Sequence, residues 1–260
     1  MDLASIVGIV VAFVGILVGM VLKGLNLSAL WNPAAILIII FGTIGSVSIA
    51  TPVEQLRNLP KLFSIIFSKS KSMTQEEAID IIVDLADNMR KEGLLVLETK
   101  VPSINDSFLV DGLMMLLEGS DNQYIQKTLE ANIEAMEERH GANAQIFTQA
   151  GTYAPTLGVL GAVVGLIAAL SNLADTTLLG HAISGAFVAT LLGIFTGYVI
   201  WHPFANKLIQ KSAMEVEVKR LMIDGVLAMH EGQNPRVLKE RLLAKMATGE
   251  RLVSSQDKKA

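Results

Sequence analysis

Four long stretches of this sequence contain no Asp, Glu, Lys or Arg, and they constrain the fold more than any other feature. They cover residues 3–22, 33–50, 151–170 and 182–201. Because a helix rises about 1.5 Å per residue, each stretch spans roughly 30 Å, the thickness of the hydrocarbon core of a bilayer. The sequence therefore predicts an all-α, polytopic membrane protein with four transmembrane helices and a helical cytoplasmic domain.

Composition agrees with a membrane protein and excludes several other classes. Hydrophobic residues make up 51% of the chain and charged residues 18%, and the mean hydropathy is +0.48. The chain has no cysteine, so disulfides, thiolate catalysis and zinc–thiolate sites are excluded. A net charge of −4 gives no argument for a nucleic-acid partner, and none is expected. Asp2 stands where a signal peptide would have Lys or Arg, so the first stretch is expected to be an uncleaved helix.

The distribution of basic residues predicts the orientation. Lys23 is the only Lys or Arg in the two short connectors, and all the others lie in residues 51–148 and 202–260. Positive residues stay on the cytoplasmic side, so both termini are predicted to be cytoplasmic in a multi-pass protein of the cytoplasmic membrane. The chain is expected to comprise transmembrane helices 1 and 2 in 1–50, a cytoplasmic helical domain in 51–148, transmembrane helices 3 and 4 in 149–203, and a cytoplasmic helical tail in 204–260.

Capping signals place helices in the two cytoplasmic segments. Thr74 and Glu77 form a capping box that begins an amphipathic helix. A second helix is predicted from Phe108 to about Glu118, and a third from Asp121 straight into the membrane. After Pro203 another helix is expected to reach about His230. The last helix is predicted from Asn234-Pro235 to near Met246, followed by a disordered tail.

The third and fourth spans form a predicted hairpin, with a polar turn at 172–180, and each arm carries small residues at helical spacing. Such a stripe indicates either close packing of another helix or the wall of an ion path that a partner completes. The stripes are Ala154, Gly158, Gly161, Gly165 and Ala169 on the first arm, and Ala182, Ala186, Thr190, Gly193 and Gly197 on the second.

The absence of a carboxylate from all four spans limits the function. Proton and sodium carriers usually place a titratable group in the membrane, so any carboxylate in an ion path must come from a partner. The remaining hydroxyls are expected to bond their own helix backbone. Thr190 differs because it lies on the small-residue face, where a polar group could line a path.

Pro155 and Pro203 are predicted to lie at similar depths on neighbouring helices. Each removes a backbone hydrogen bond and can kink its helix. Membrane helices also tolerate proline without functional consequence. The functional interpretation is a matched hinge that lets the cytoplasmic helices move relative to the membrane core.

The remaining charged residues give no enzyme signature. Arg90 and Glu98 lie in a charged stretch, MRKEGLLVLE, that indicates a solvated face or a protein-docking surface. The four histidines have no metal-ligand spacing. No phosphate loop, nucleophile elbow or paired carboxylate is found. We therefore expect no catalytic activity, no metal site and no cofactor.

Nearly the whole chain resembles the A subunits of bacterial flagellar motor stators (MotA), in the MotA/TolQ/ExbB superfamily. The motifs that carry the resemblance are NPAAILIIIFGT, MRKEGLLVLE, TQAGTYAPTLGVLGAVVGLIAAL and GHAISGAFVATLLGIFTGYVIWHPFANKL. The wording of TYAPTLG and WHPFANKL is more similar to the proton-driven branch than to the sodium-driven one.

The resemblance implies a function and partners. With a MotB-type B subunit, which brings the ion-binding Asp and a peptidoglycan anchor, the chain would form a proton channel that drives torque on the rotor. It implies a homopentamer around a B dimer, in membrane lipid. It also implies that Gly158, Ala162, Thr190 and Tyr198 line the ion path, that Pro155 and Pro203 couple protonation to movement, and that Arg90 and Glu98 contact the rotor switch protein FliG.

Three alternatives stay open at this point. A sodium-driven stator subunit would have the same architecture but another ion. An energiser of outer-membrane processes, of the ExbB/TolQ kind, would also form a ring around a single-helix partner. A purely structural membrane scaffold would use the small-residue stripes only for packing.

Overall fold

The structure is a computed structural model of the chain and describes residues 2–24, 27–68, 72–171 and 176–246. Within these ranges the chain forms helices and no strand, which confirms the all-α fold class. Four of the helices are long and apolar enough to cross a membrane. The α-helices are α1 Leu3–Leu22, α2 Pro33–Ala50, α3 Val53–Leu56, α4 Leu59–Phe67, α5 Gln75–Glu92, α6 Val96–Lys100, α7 Ser107–Leu117, α8 Asn122–Leu170, α9 Thr176–Phe195, α10 His202–His230 and α11 Pro235–Lys245.

Local signals set most helix starts. Asn32 accepts a hydrogen bond from the backbone N–H of Ala35, and Pro33 follows as the first residue of α2. The capping box of Thr74 and Glu77 is present with both of its hydrogen bonds. Asn234 caps α11 by accepting from Arg236.

The helices predicted before and after the membrane spans are confirmed, whereas the turn predicted between the third and fourth spans needs a correction. α8 runs without a break for 49 residues, as predicted, and α10 ends at His230. The polar turn predicted at 172–180 is wrong from Thr176 onward, because α9 begins there. Gly180 costs a helix only about 1 kcal/mol, and helix formation satisfies the backbone in lipid. Residues 172–175 and the predicted disordered tail lie outside the described residues.

The chain divides into two units. The first comprises Met1–Ser70 and Arg139–Gln210, and contains the apolar helices. One of its clusters is aromatic: Phe147 is almost fully buried, and its ring centroid lies 5.3 Å from that of Phe63 and 6.1 Å from that of Phe204 in edge-on contacts. At the start of α2, Asn32 Nδ2 donates a hydrogen bond to the carbonyl of Gly185, 3.3 Å away, and so connects α2 to α9.

The second unit comprises Lys71–Glu138 and Lys211–Ala260. Its core is aliphatic, and Ile82, Leu113 and Leu238 are completely buried. A β-carbon on Gly225 would lie 2.7 Å from Ile82, so α10 and α5 approach closely there. The ion pair of Lys239 and Asp80, at 2.9 Å, joins α11 to α5. This unit is a compact helical domain in its own right.

Candidate functional site: the hairpin of two apolar helices

The two arms of the hairpin touch through their backbones. A β-carbon on Gly158 would lie 2.8 Å from the carbonyl oxygen of Ala189 and 3.0 Å from the Cα of Gly193. Only glycine permits so close an approach, which is a frequent way for helices to pack in lipid. The predicted close packing is therefore present, and the partner helix at this point is the other arm of the same chain.

Pro155 lies against the second arm one turn further along. A β-carbon on Gly197 would lie 2.7 Å from Pro155 Cγ and 2.7 Å from the carbonyl oxygen of Gly151. Because proline has no N–H, that carbonyl receives no hydrogen bond from Pro155. The helix around Pro155 nevertheless stays continuous. Gly197 thus accommodates both the ring of Pro155 and the carbonyl of Gly151.

The structure offsets the two prolines by about a turn instead of matching their depth. Pro155 faces Gly197, whereas a β-carbon on Gly151 would lie 2.8 Å from the ring of His202, the residue before Pro203. The side chain of Pro203 is exposed. The two prolines are therefore connected through the segment from Gly197, which faces Pro155, to His202, which precedes Pro203.

That segment contains a feature that was not predicted from the sequence. Residues Thr196–Trp201 form a π-helix between α9 and α10, and the backbone N–H of His202 donates to the carbonyl of Gly197. Such wide turns are rare and are frequently found at functional sites. The only signal in the sequence is the proline that follows, since it disturbs the regular hydrogen bonds before it.

Several hydroxyls of the spans bond to their own helices, as predicted, whereas the buried Thr43 Oγ1 of α2 has no hydrogen-bond partner among the described residues. Thr190 Oγ1 donates to the carbonyl of Ala186 at 3.1 Å, and Thr156 Oγ1 to that of Thr152 at 3.2 Å. Thr190 itself is half-buried. Its oxygen still has a free lone pair, so it can accept a hydrogen bond from a protonated or hydrated ion.

The other predicted path residues differ in exposure. Ala162 is buried in a small cluster with Ala35, Ala186 and Ala189, where α2, α8 and α9 meet. Tyr198 is 64% exposed on the single chain, and its ring centroid lies 5.2 Å from that of His202. Gly158 and Ala162 therefore lie inside the hairpin, whereas Thr190 and Tyr198 keep accessible surface. The assignment of all four to an ion path stays a prediction.

No group of three or more metal-ligand side chains occurs in the described ranges. The apolar segments also lack any Asp, Glu, Lys or Arg. The apolar segments of the hairpin can thus position a hydroxyl and shape a passage, but they contain no carboxylate on which an ion could rest.

Arg90 and Glu98 lie in the second unit and are both exposed. Arg90 is in the last turn of α5 and Glu98 is in the first turn of α6, on either side of Gly93, which has a left-handed φ of 89°. Beside them, a hydrogen bond to Asp87 and its negative charge raise the pKa of Lys91. The two predicted docking residues flank one tight turn, and their role stays a prediction.

The fold and the hairpin define a class: a polytopic helical membrane protein whose four apolar segments contain no Asp, Glu, Lys or Arg. Comparison with known proteins agrees. The model of the MotA/TolQ/ExbB proton channel family matches residues 100–221, and that of the motility protein A N-terminal region matches residues 6–93.

Relatives of nearly equal length are similar throughout. Motility protein A of Bacillus subtilis (strain 168) is 55% identical over 97% of this chain and 93% of its own. In the structure of the flagellar MotAB stator complex from B. subtilis, a chain matches with a TM-score of 0.91 at 55% identity, covering 96% of this chain and 98% of that one. A chain of C. jejuni MotAB gives 0.90 at 31% identity, with coverages of 95% and 97%. The protein therefore belongs to the MotA/TolQ/ExbB proton channel family, in its motility protein A branch.

Proposed function

We propose that this chain and a single-helix partner together form an ion path that converts ion-motive force into rotation of the flagellum. The class of function follows from the family: it is a stator subunit of the flagellar motor. The observation that carries the mechanism is that the hairpin has a half-buried hydroxyl, Thr190, and no carboxylate in its spans. The partner, of the MotB kind, supplies the missing Asp and is anchored in peptidoglycan.

The ion path runs along the surface of the hairpin that the single chain leaves accessible. Thr190 and Tyr198 face the partner's helix there, while Gly158 and Ala162 support the wall from inside. The transported ion is H⁺, and no cofactor is required. Several copies of the chain, five by analogy with the family, surround two partner chains in the membrane lipid.

The energy available fits a switch between nearly balanced states. One elementary charge crossing a potential of 100 mV releases about 2.3 kcal/mol. Neutralising the partner's Asp would release its hold on one copy of the chain and let the ring step. Pro155 and Gly197 lie where such a step would reach the helix that leaves the hairpin.

The cytoplasmic segments, 51–148 and 204–260, pass the motion to the rotor. Both chain ends lie in the cytoplasm, since the basic residues lie outside the short connectors. Arg90 and Glu98, exposed on either side of the turn at Gly93, contact the rotor switch protein FliG. Opposite charges on that protein would meet each of them.

The decisive experiment is complementation of a strain that lacks its own stator A subunit. Co-expression of this chain with its MotB-type partner should restore swimming, equally with and without sodium, and a protonophore should stop it. Swimming only with sodium would assign the other ion. Co-purification with an outer-membrane receptor partner, together with no swimming, would contradict the stator function and favour an energiser.

A further inference from the structure

The residues through which the second arm touches the first are unevenly spaced. On the second arm they include Ala189, Gly193, Gly197 and His202, with steps of four, four and then five residues. A regular α-helix returns to the same face after three or four residues, so it would bring Trp201 rather than His202 beside Gly151. The π-helical turn, Thr196–Trp201, supplies the extra residue.

Both ends of the π-helical turn are chemically suited to it. At its start, Thr196 Oγ1 lies 2.8 Å from the carbonyl oxygen of Leu192 and 3.1 Å from that of Gly193, so the hydroxyl donates where backbone bonds change pattern. Just beyond its end, Pro203 has no N–H to donate to either register. A wide turn therefore forfeits fewer backbone hydrogen bonds here than elsewhere in the helix.

The position of the π-helical turn also decides which residue faces Pro155. With the turn in place, Gly197 faces it, and there is no room for a side chain. The wide turn could move toward the N-terminus of the second arm while His202 keeps its position. The segment before His202 would then be regular α-helix, and Tyr198, four residues before His202, would face Pro155 in place of Gly197. Pro155 would then have to move aside. Movement of the π-helical turn along the second arm would thus displace the first arm at Pro155.

We propose that the π-helical turn is the moving element of this stator subunit, and that Thr196 and Gly197 are positioning residues that hold it in its observed place. The inference rests on the proposed function and deepens it: the two prolines limit the turn and respond to it, instead of acting as hinges themselves. The extra residue in the π-helical turn allows the turn to move, and the contacts between the two arms do not require it.

Deletion of Val199 separates movement from packing. Without it, His202 follows Gly197 by four residues, so a regular α-helix keeps the same contacts with the first arm while the wide turn is lost. The shortened full-length chain should still co-purify with the MotB-type partner at the level of the unaltered chain, but swimming should be lost. The matched control is deletion of Leu191 in α9, which rotates everything beyond it by about 100° and should abolish assembly.

Two results would overturn the inference. Normal swimming after deletion of Val199 would show that the wide turn is only a packing adaptation. Failure of that variant to assemble, as in the Leu191 control, would show that the turn is needed for the contacts themselves. A strain in which even the unaltered chain restores no swimming would instead contradict the proposed function.

Two substitutions of Thr196 give an independent test. Thr196→Ser keeps the hydroxyl and should swim like the unaltered chain, whereas Thr196→Val keeps the shape but loses the donor. The valine variant should assemble normally, swim poorly, and exchange the backbone amides of residues 197–202 with deuterium faster. Equal swimming and equal exchange in the two variants would contradict a positioning role for Thr196.

Discussion

Gly158 and Gly193 lie with their backbones in direct contact: a β-carbon on Gly193 would lie 2.9 Å from the Cα of Gly158 and 2.8 Å from the carbonyl oxygen of Ala154. The contact is reciprocal, and both neighbours are backbone atoms that cannot rotate away. It fixes the separation of the two arms at the level where the ion path is proposed.

Gly158→Ala should therefore destabilise the hairpin. Because the new methyl group meets backbone rather than a flexible side chain, we expect a loss of about 1–3 kcal/mol, typical of overpacking. Thermal unfolding of the purified complex and the amount of chain in the membrane measure it. Gly45→Ala on α2 is the control, since nothing lies within 4 Å of a β-carbon there; equal stability of the two variants would refute the close contact.

Pro155→Leu should stop swimming while the complex still assembles. A leucine restores a backbone N–H that can bond the carbonyl of Gly151, and removes the ring that lies against Gly197. The helix is continuous already, so its stability should not fall. Swimming in soft agar and co-purification with the partner are the two measurements, and normal swimming would eliminate Pro155 from the mechanism.

Thr190→Val should separate the hydroxyl from the shape of the side chain. Because Thr190 Oγ1 donates to the carbonyl of Ala186 in its own helix, loss of this hydroxyl should change stability by no more than about 1 kcal/mol. Ion flow and swimming should nevertheless be lost. Thr190→Ser, which keeps the hydroxyl, should retain swimming. If the valine variant swims as well as the serine variant, Thr190 does not line the path.

Arg90→Glu should impair swimming without affecting the fold of the second unit. Arg90 is exposed at the end of α5, and exposed charges contribute little to stability. Swimming speed and the thermal unfolding of the complex test this. Lys127→Glu, a charge reversal at another exposed site of the same unit, should have no effect. Restoration of swimming by a reversed charge on the rotor protein would support direct contact, whereas equal swimming of the two variants would place the docking surface elsewhere.

Much of the fold could be predicted because its signals are local. The capping residues Asn32 and Thr74 each mark a helix start with a side chain and a backbone N–H only three residues apart. The 20 residues of α1 are uncharged throughout and can be recognised by hydropathy alone. The missing carboxylate is likewise a property of composition, and it led directly to a partner chain.

The candidate site was predicted less completely because its geometry is not local. Spacing alone placed Gly158 on a face that could have met lipid, a partner or the other arm; only the structure shows that it meets Gly193. The same holds for Pro155, whose contact Gly197 lies 42 residues away in the chain. The residue pattern of one helix does not predict its register against a second helix.

The sequence by itself determined the four apolar spans, the capped helix starts such as those of α2 and α5, and the absence of a carboxylate from the spans, since hydropathy and capping act over a few neighbouring residues. Only the tertiary structure decided that Pro155 lies against Gly197, that His202 rather than Trp201 faces Gly151, and that the helix widens between them. The physical reason is that these features arise from fitting two helices together. The contacts between the two arms, and the extra residue between Gly197 and His202, become visible only when both arms are in place.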